Sequence, residues 1–127
     1  MKRNDAFHRR EIRMSALAAK LETIRDGGGV KSRDIAQLLN TTPQTISRWQ
    51  TGKTEPQREQ LQKLLALEWL VGQLAELYSP DEARLWLFSP HRLLKGDSPV
   101  ARIHREGIEG IDEVLAVISQ IKEGAFT

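Results

Sequence analysis

The chain has 127 residues, 39% of them apolar, with no cysteine and a formal net charge of +2. That length allows one ordinary domain or two very small ones, and the missing thiols exclude disulfides, thiolate metal sites and cysteine nucleophiles. No window approaches the roughly 18 consecutive apolar residues of a spanning helix, and no apolar core follows the basic start MKRNDAFHRR, so a cytoplasmic protein with no membrane partner is expected.

The pattern predicts an all-α protein, because apolar residues recur at helical spacing and nowhere alternate as in a half-buried strand. Residues 7–25 form the first periodic run, with Phe7, Ile12, Leu17, Leu21 and Ile24 near one face. Gly27, Gly28 and Gly29 are expected to end it. Ser32 is the expected N-cap of a short helix through Leu39, and Asn40-Thr41-Thr42 makes a turn. Pro43 suits the first position of the next helix, which should stop near Gly52. A long helix is expected over Gln57 to Tyr78. Its apolar arc, with Leu61, Leu65 and Trp69 among its members, is wider than one packing face needs. Ser79-Pro80-x-Glu82 starts another helix, which carries Leu85, Trp86, Leu87 and Phe88 and breaks at Ser89-Pro90. After shorter pieces punctuated by Gly96, Ser98-Pro99 and Gly107, the last helix is expected from Ile111 to Lys122.

Charge is unevenly spread. Residues 1–55 carry eleven Lys/Arg against six Asp/Glu, whereas residues 56–127 carry eight against eleven. A basic front half suits a polyanion, and an acidic back half suggests a different partner.

The strongest local motif is RDIAQLLNTTPQTISRWQTGKTEPQ, residues 33–57. Ala36 fits a close helix crossing, Ile35, Leu38 and Ile46 supply buried contacts, and Trp49 closes the second helix onto the core. Asn40 sits where a left-handed residue is favoured. The spacing, with the ending Ser47-x-Trp49-x-x-Gly52-x-x-x-Pro56, resembles the Xre-type (Cro-like) helix-turn-helix family. In such a motif the second helix enters the major groove, so Gln44, Thr45 and Arg48 are the candidate base readers. Ser32, Arg33, Thr42, Thr51 and Lys53 flank them as candidate phosphate contacts. One such unit buries too little surface for tight specific binding, so a dimer reading two half-sites of operator DNA is expected.

In the back half, Ala83, Trp86, Leu87, Pro90, Leu94, Gly96, Ser98 and Pro99 are followed by Gly107, then Val114, Leu115 and Ile118, and finally Gly124 and Phe126. This arrangement resembles the toxin-binding domain of the Xre/MbcA/ParS antitoxins. The resemblance implies an antitoxin of a type II toxin–antitoxin pair that represses its own operon. The implied partner is a RES-domain toxin, an NAD-depleting enzyme encoded by the adjacent gene. The assembly would be a homodimer or a higher hetero-oligomer with that toxin. It also implies that the C-terminal part covers the toxin's active-site entrance. The tail Lys122, Glu123, Gly124, Ala125, Phe126 and Thr127 is the expected toxin-binding element, being short, hinged at glycine and aromatic near its end. Two alternatives stand beside it: Phe126 staples the last helix to the core, or residues 91–107 do the blocking. Arg84, Arg92, Arg102 and Arg105 are further candidates for the partner surface, whereas Trp86, Pro90, Gly96 and Pro99 read as fold-determining.

Other chemistry finds little support. His8, His91 and His104 are scattered, and none pairs at metal-ligand spacing, so no metal and no cofactor are expected. Gly27-Gly28-Gly29-Val30-Lys31-Ser32 lacks the phosphate-loop spacing, and no Gly-x-Ser-x-Gly elbow exists to expose a serine. An enzyme is not expected, and no catalytic residue is assigned. The organisation expected is a DNA-binding domain over 1–56, a linking and dimerising helix over 57–78, and a toxin-binding domain over 79–127. A stand-alone helix-turn-helix regulator with a C-terminal oligomerisation domain is the other reading.

Overall fold

The computed structural model describes residues 16–124. They form helix α1, described over 16–28, followed by α2 (Ser32–Leu38), α3 (Pro43–Thr51) and α4 (Arg58–Ala75). Then come α5 (Pro80–Phe88), a 3-10 turn (Arg92–Leu94), α6 (Pro99–Glu106) and α7 (Ile108–Lys122). No strand occurs among the described residues, so the protein is all-α with a helix-turn-helix unit ahead of a second helical layer. The expected start of the first helix, with Phe7 and Ile12, lies outside the described residues.

Local chemistry sets most boundaries. The Thr42 hydroxyl accepts the Thr45 N–H at 3.1 Å, Pro43 fills the first position of α3, and Gly52 ends it in the left-handed region at φ 77°. At α5 the Ser79 hydroxyl accepts from Glu82 N, while the Glu82 carboxylate accepts from Ser79 N at 2.9 Å. Ser98 and Pro99 open α6 in the same manner, with the Ser98 hydroxyl accepting from Ala101 N at 3.1 Å.

Three local expectations are corrected. The N-cap of α2 is Lys31, not Ser32, because the Asp34 carboxylate takes the Lys31 N–H at 2.9 Å. Helix α1 continues through Gly28, and only Gly29 turns left-handed, at φ 61°. A Cβ on Gly27 or Gly28 would lie 3.0 or 3.1 Å from Val71, so these two glycines let α1 approach α4. Helix α7 begins at Ile108 rather than Ile111, since Gly107, at φ 63°, completes the junction with α6.

One continuous core runs through both halves. Helix α4 contributes Leu64, Leu67, Leu70, Val71 and Leu74, and α7 contributes Ile111, Val114, Val117 and Ile118. Leu21 and Ile24 enter from α1, and Ile35, Ala36, Leu38, Ile46 and Trp49 from α2 and α3. Polar ties cross between the halves. Lys20 pairs with Glu68 at 3.1 Å, and Arg84 donates to Gly29 O at 2.9 Å and to Asp34 at 3.2 Å. The His104 ring Nδ1 lies 2.9 Å from Gln37 O.

The tightest helix crossing is at Gly110, where a Cβ would sit 2.5 Å from the Arg102 carbonyl oxygen. Gly110→Ala is therefore expected to cost about 1–3 kcal/mol by overpacking, read as a lowered thermal midpoint. An unchanged midpoint would contradict this account of the α6–α7 crossing.

Candidate nucleic-acid interface and C-terminal partner surface

The helix-turn-helix follows from three residues with fixed conformational demands. Asn40 takes φ 54° in the turn, Thr42 caps, and Ile46 and Trp49 anchor α3 at 1% and 2% exposure. With those two side chains inside, the opposite side of α3 faces solvent. Gln44 and Arg48 are exposed there, one helical turn apart, with no side-chain partner among the described residues. Thr45 is half-buried, and its hydroxyl lies 3.0 Å from that of Thr42.

The flanking candidates divide by what their polar atoms already do. Arg33 and Lys53 are exposed and make no side-chain hydrogen bond or ion pair among the described residues, so both cations remain available to an anion. The Thr51 hydroxyl donates back to Ser47 O at 3.1 Å, and the Thr42 hydroxyl is engaged in capping. The Ser32 hydroxyl accepts from Arg25 Nη1 at 3.0 Å, and the same nitrogen reaches Gln50 Oε1 at 3.2 Å. Arg25 escaped the sequence reading. It lies beside the glycine run that masks it as a helix end, yet it ties α1, α2 and α3 together at this face.

In the back half, the loop between α5 and α6 is closed on itself. His91 N donates to Asp97 O and Gly96 N to His91 O, both at 3.0 Å, with Lys95 and Gly96 at φ 57° and 90°. Trp86, one of the residues read as fold-determining, is half-buried and packs edge-to-face on His91 at 5.7 Å between ring centroids. Arg102 is 9% exposed and does not belong to the surface. Its guanidinium donates to Leu94 O at 2.6 Å, to Asp97 at 3.1 Å and to Glu113, joining the loop, α6 and α7. Arg105 also donates to Asp97, at 2.6 Å. Arg84 lies 4.5 Å over the Phe88 ring in addition to its bonds to Gly29 and Asp34. Three of the four arginine candidates are thus hydrogen-bonded inside the chain, and Arg92 alone makes no side-chain hydrogen bond or ion pair among the described residues.

The tail is described only to Gly124. Lys122 pairs with Glu76 at 3.2 Å, which ties the end of α7 to α4. Glu123 is exposed, and Gly124 turns left-handed at φ 75° with open space where a Cβ would be. Ala125, Phe126 and Thr127 lie outside the described residues. No group of three or more His, Asp or Glu side chains among the described residues could hold a metal ion, and no described helix is long and apolar enough to cross a membrane.

Comparison with known proteins fits both halves. Residues 21–67 match the helix-turn-helix family profile, and residues 67–124 match the antitoxin Xre/MbcA/ParS C-terminal toxin-binding domain. The mycobacterial cidal antitoxin MbcA of Mycobacterium bovis and of Mycobacterium tuberculosis is 32% identical over 113 residues, covering 89% of this chain and 97% of the relative. The chain belongs to the Xre/MbcA/ParS antitoxin family. A probable mycobacterial cidal antitoxin of M. tuberculosis, Rv3188, is 29% identical over 98 residues, covering 77% of this chain and 81% of the relative. Among solved structures, the M. tuberculosis MbcT–MbcA toxin–antitoxin complex contains a chain that superposes with a TM-score of 0.74 at 30% identity. That match covers 87% of this chain and 97% of the other. The two profile matches meet at Leu67, in the middle of α4.

The hydrogen bond from Arg105, then that from Arg102, holds the Asp97 carboxyl below the usual aspartate range. A lowered carboxyl stabilises the fold above its unfolded value of about 3.9 and loses that contribution as the pH falls through the folded value. Glu106 is pushed the opposite way by its hydrogen bond with Glu113, so whole-protein melting mixes two signs. The difference in thermal midpoint between the parent and Asp97→Asn isolates the first. It should be largest near neutral pH and close as the pH falls below about 4. A difference that stays constant across that window would remove Asp97 as the loop's ionic anchor.

Proposed function

We propose that this chain is the antitoxin of a type II toxin–antitoxin pair, neutralising a RES-domain, NAD-depleting toxin encoded beside it and repressing the shared operon. The observation that carries this reading is the order of the two family matches, which together run from residue 21 to residue 124. The chain's likeness to a component of a solved toxin–antitoxin complex supports the same partner class.

In operator binding, Gln44 and Arg48 read bases, Gln44 suiting adenine and Arg48 guanine through paired hydrogen bonds. Thr45 offers its methyl to thymine. Arg33 and Lys53 neutralise phosphates, and Ser32, Thr42 and Thr51 line the same face with shorter polar groups. Two such units are required for tight operator binding, hence a homodimer or a hetero-oligomer with the toxin. In neutralisation, residues 122–127 reach the toxin's NAD entrance from the end of α7. The left-handed Gly124 provides the change of direction. The net negative charge of residues 56–127 complements a pocket built for a dinucleotide. The two activities are linked, because toxin binding alters the number and spacing of helix-turn-helix units presented to the operator.

Each half has its own test. The Gln44→Ala, Arg48→Ala double variant should lower operator affinity more than tenfold in a gel-shift assay, each lost bidentate contact being worth about 1–3 kcal/mol. It should still protect cells from the toxin. Undiminished operator retention would overturn the assignment of α3. Deleting residues 124–127 should weaken protection while leaving the melting curve cooperative. Full protection by the truncated chain would move the blocking element elsewhere in the back half.

A further inference from the structure

Helix α5 turns two large apolar side chains outward. Leu85 is 71% exposed and Phe88 39%, although Ala83 and Leu87 of the same helix are buried in the core. Beyond α4 they are the only exposed large hydrophobic residues among those described. Three positions apart, they are neighbours on one side of the helix and form a patch rather than scattered surface.

The patch continues into a cleft between α2, α5 and α6. Phe88 meets Leu38 of α2 and Val100 and Ala101 of α6 there, and Asp34, Gln37 and His104 give it a polar rim. Two ties hold its walls. Arg84 donates to Asp34 at 3.2 Å and lies 4.5 Å over the Phe88 ring, which joins α5 to α2 and fixes the ring. His104 Nδ1 lies 2.9 Å from Gln37 O and joins α6 to α2. The cleft is thus formed before anything enters it, so little ordering entropy is lost when it is filled. Within one chain, by contrast, the outward Leu85 and Phe88 keep apolar surface in water, and only burial against a partner makes them favourable.

The size of the proposed complex points to that partner. A stable protein–protein interface takes about 800 Å² and roughly 20–30 residues from each side. The proposed plug is short, residues 122–127, so the toxin needs a further anchor on this chain. Residues 67–124 match a toxin-binding domain, and past α4 it is α5 with its cleft that offers exposed apolar surface. An arginine stacked on an aromatic ring beside an aliphatic side chain, inside a polar rim, has the composition of an interface centre.

We propose that Leu85, Phe88 and the cleft between α2, α5 and α6 form the docking surface for the toxin. The cleft takes one large apolar side chain of that protein while the tail blocks its active site. This assignment rests on the antitoxin reading above. Because one wall of the cleft is α2, a docked toxin also touches the helix-turn-helix unit directly.

The probe is the product of the adjacent gene, made by cell-free translation and immobilised, with binding of the purified full chain followed by biolayer interferometry. The parent chain should bind. Leu85→Glu places a charge on the patch and Ala101→Trp fills the cleft, and each should weaken binding about tenfold or more, mainly through faster dissociation. Both positions are exposed, so circular dichroism melting should match the parent. Leu85→Met keeps an apolar side chain of similar volume and should bind as the parent does. A parent chain that does not bind defeats the antitoxin reading and this assignment together. If the parent binds and both variants bind equally well, the docking surface alone is overturned and the antitoxin reading stands. Variants that bind normally but alter the sedimentation mass of the free chain would give the patch to a second copy. Variants that bind normally but melt earlier would give it to packing within the chain. Either result overturns the proposal.

Discussion

Helix α4 has to serve both halves of the chain at once, and the rest of the fold follows from how it does so. Its buried side, Leu64 through Leu74, is covered by α1 and α7. Close approach is possible on the α1 side only because Gly27 and Gly28 present no side chain to Val71. A Cβ on Gly29 would fall 2.5 Å from Pro80 O, so the same glycine run also admits the start of α5. Interiors packed at crystal-like density transmit such constraints, because a shift of even one methyl group is felt by the neighbours. The two halves are therefore not beads on a flexible linker. They share one core, and Arg84, Lys20 and His104 add polar ties across the seam.

That shared core gives a physical route between the two proposed activities. The outward face of α3 is held by Ile46, Trp49 and the Arg25 bridge, while the C-terminal layer is held by Arg102 and its partners Leu94, Asp97 and Glu113. Each face is stiffened by a buried or half-buried arginine that hydrogen-bonds to several elements. Among the described residues, the outward side chains of Gln44, Arg48, Arg33 and Lys53 make no hydrogen bond or ion pair. A fixed frame with free polar ends is what preorganised recognition of a charged polymer requires.

Much of the fold was legible in the sequence because it is written in residues with narrow conformational demands. Thr42-Pro43, Ser79-Pro80-x-Glu82 and Ser98-Pro99 open helices where the spacing predicts, Asn40 takes the left-handed conformation expected of it, and α3 stops at Gly52 as expected. Tertiary competition defeated the local rules elsewhere. Ser32 is an excellent N-cap by type, yet Asp34 claims the preceding N–H and Arg25 claims the serine hydroxyl. Glycines 27 and 28 read as helix breakers, because their packing role depends on Val71, 43 and more residues away in the chain. At the candidate site, α3 and its outward residues could be read from spacing alone. Arg102 could not, because an arginine looks like surface until its three acceptors are known.

On the function proposed above, this chain protects a cell from an NAD-depleting partner encoded next to it. The most direct measurement expresses the neighbouring gene alone and then together with this chain, following growth and intracellular NAD. NAD should collapse with the neighbour alone and recover on co-expression. An NAD level that never moves, or one that collapses equally with this chain present, would contradict it.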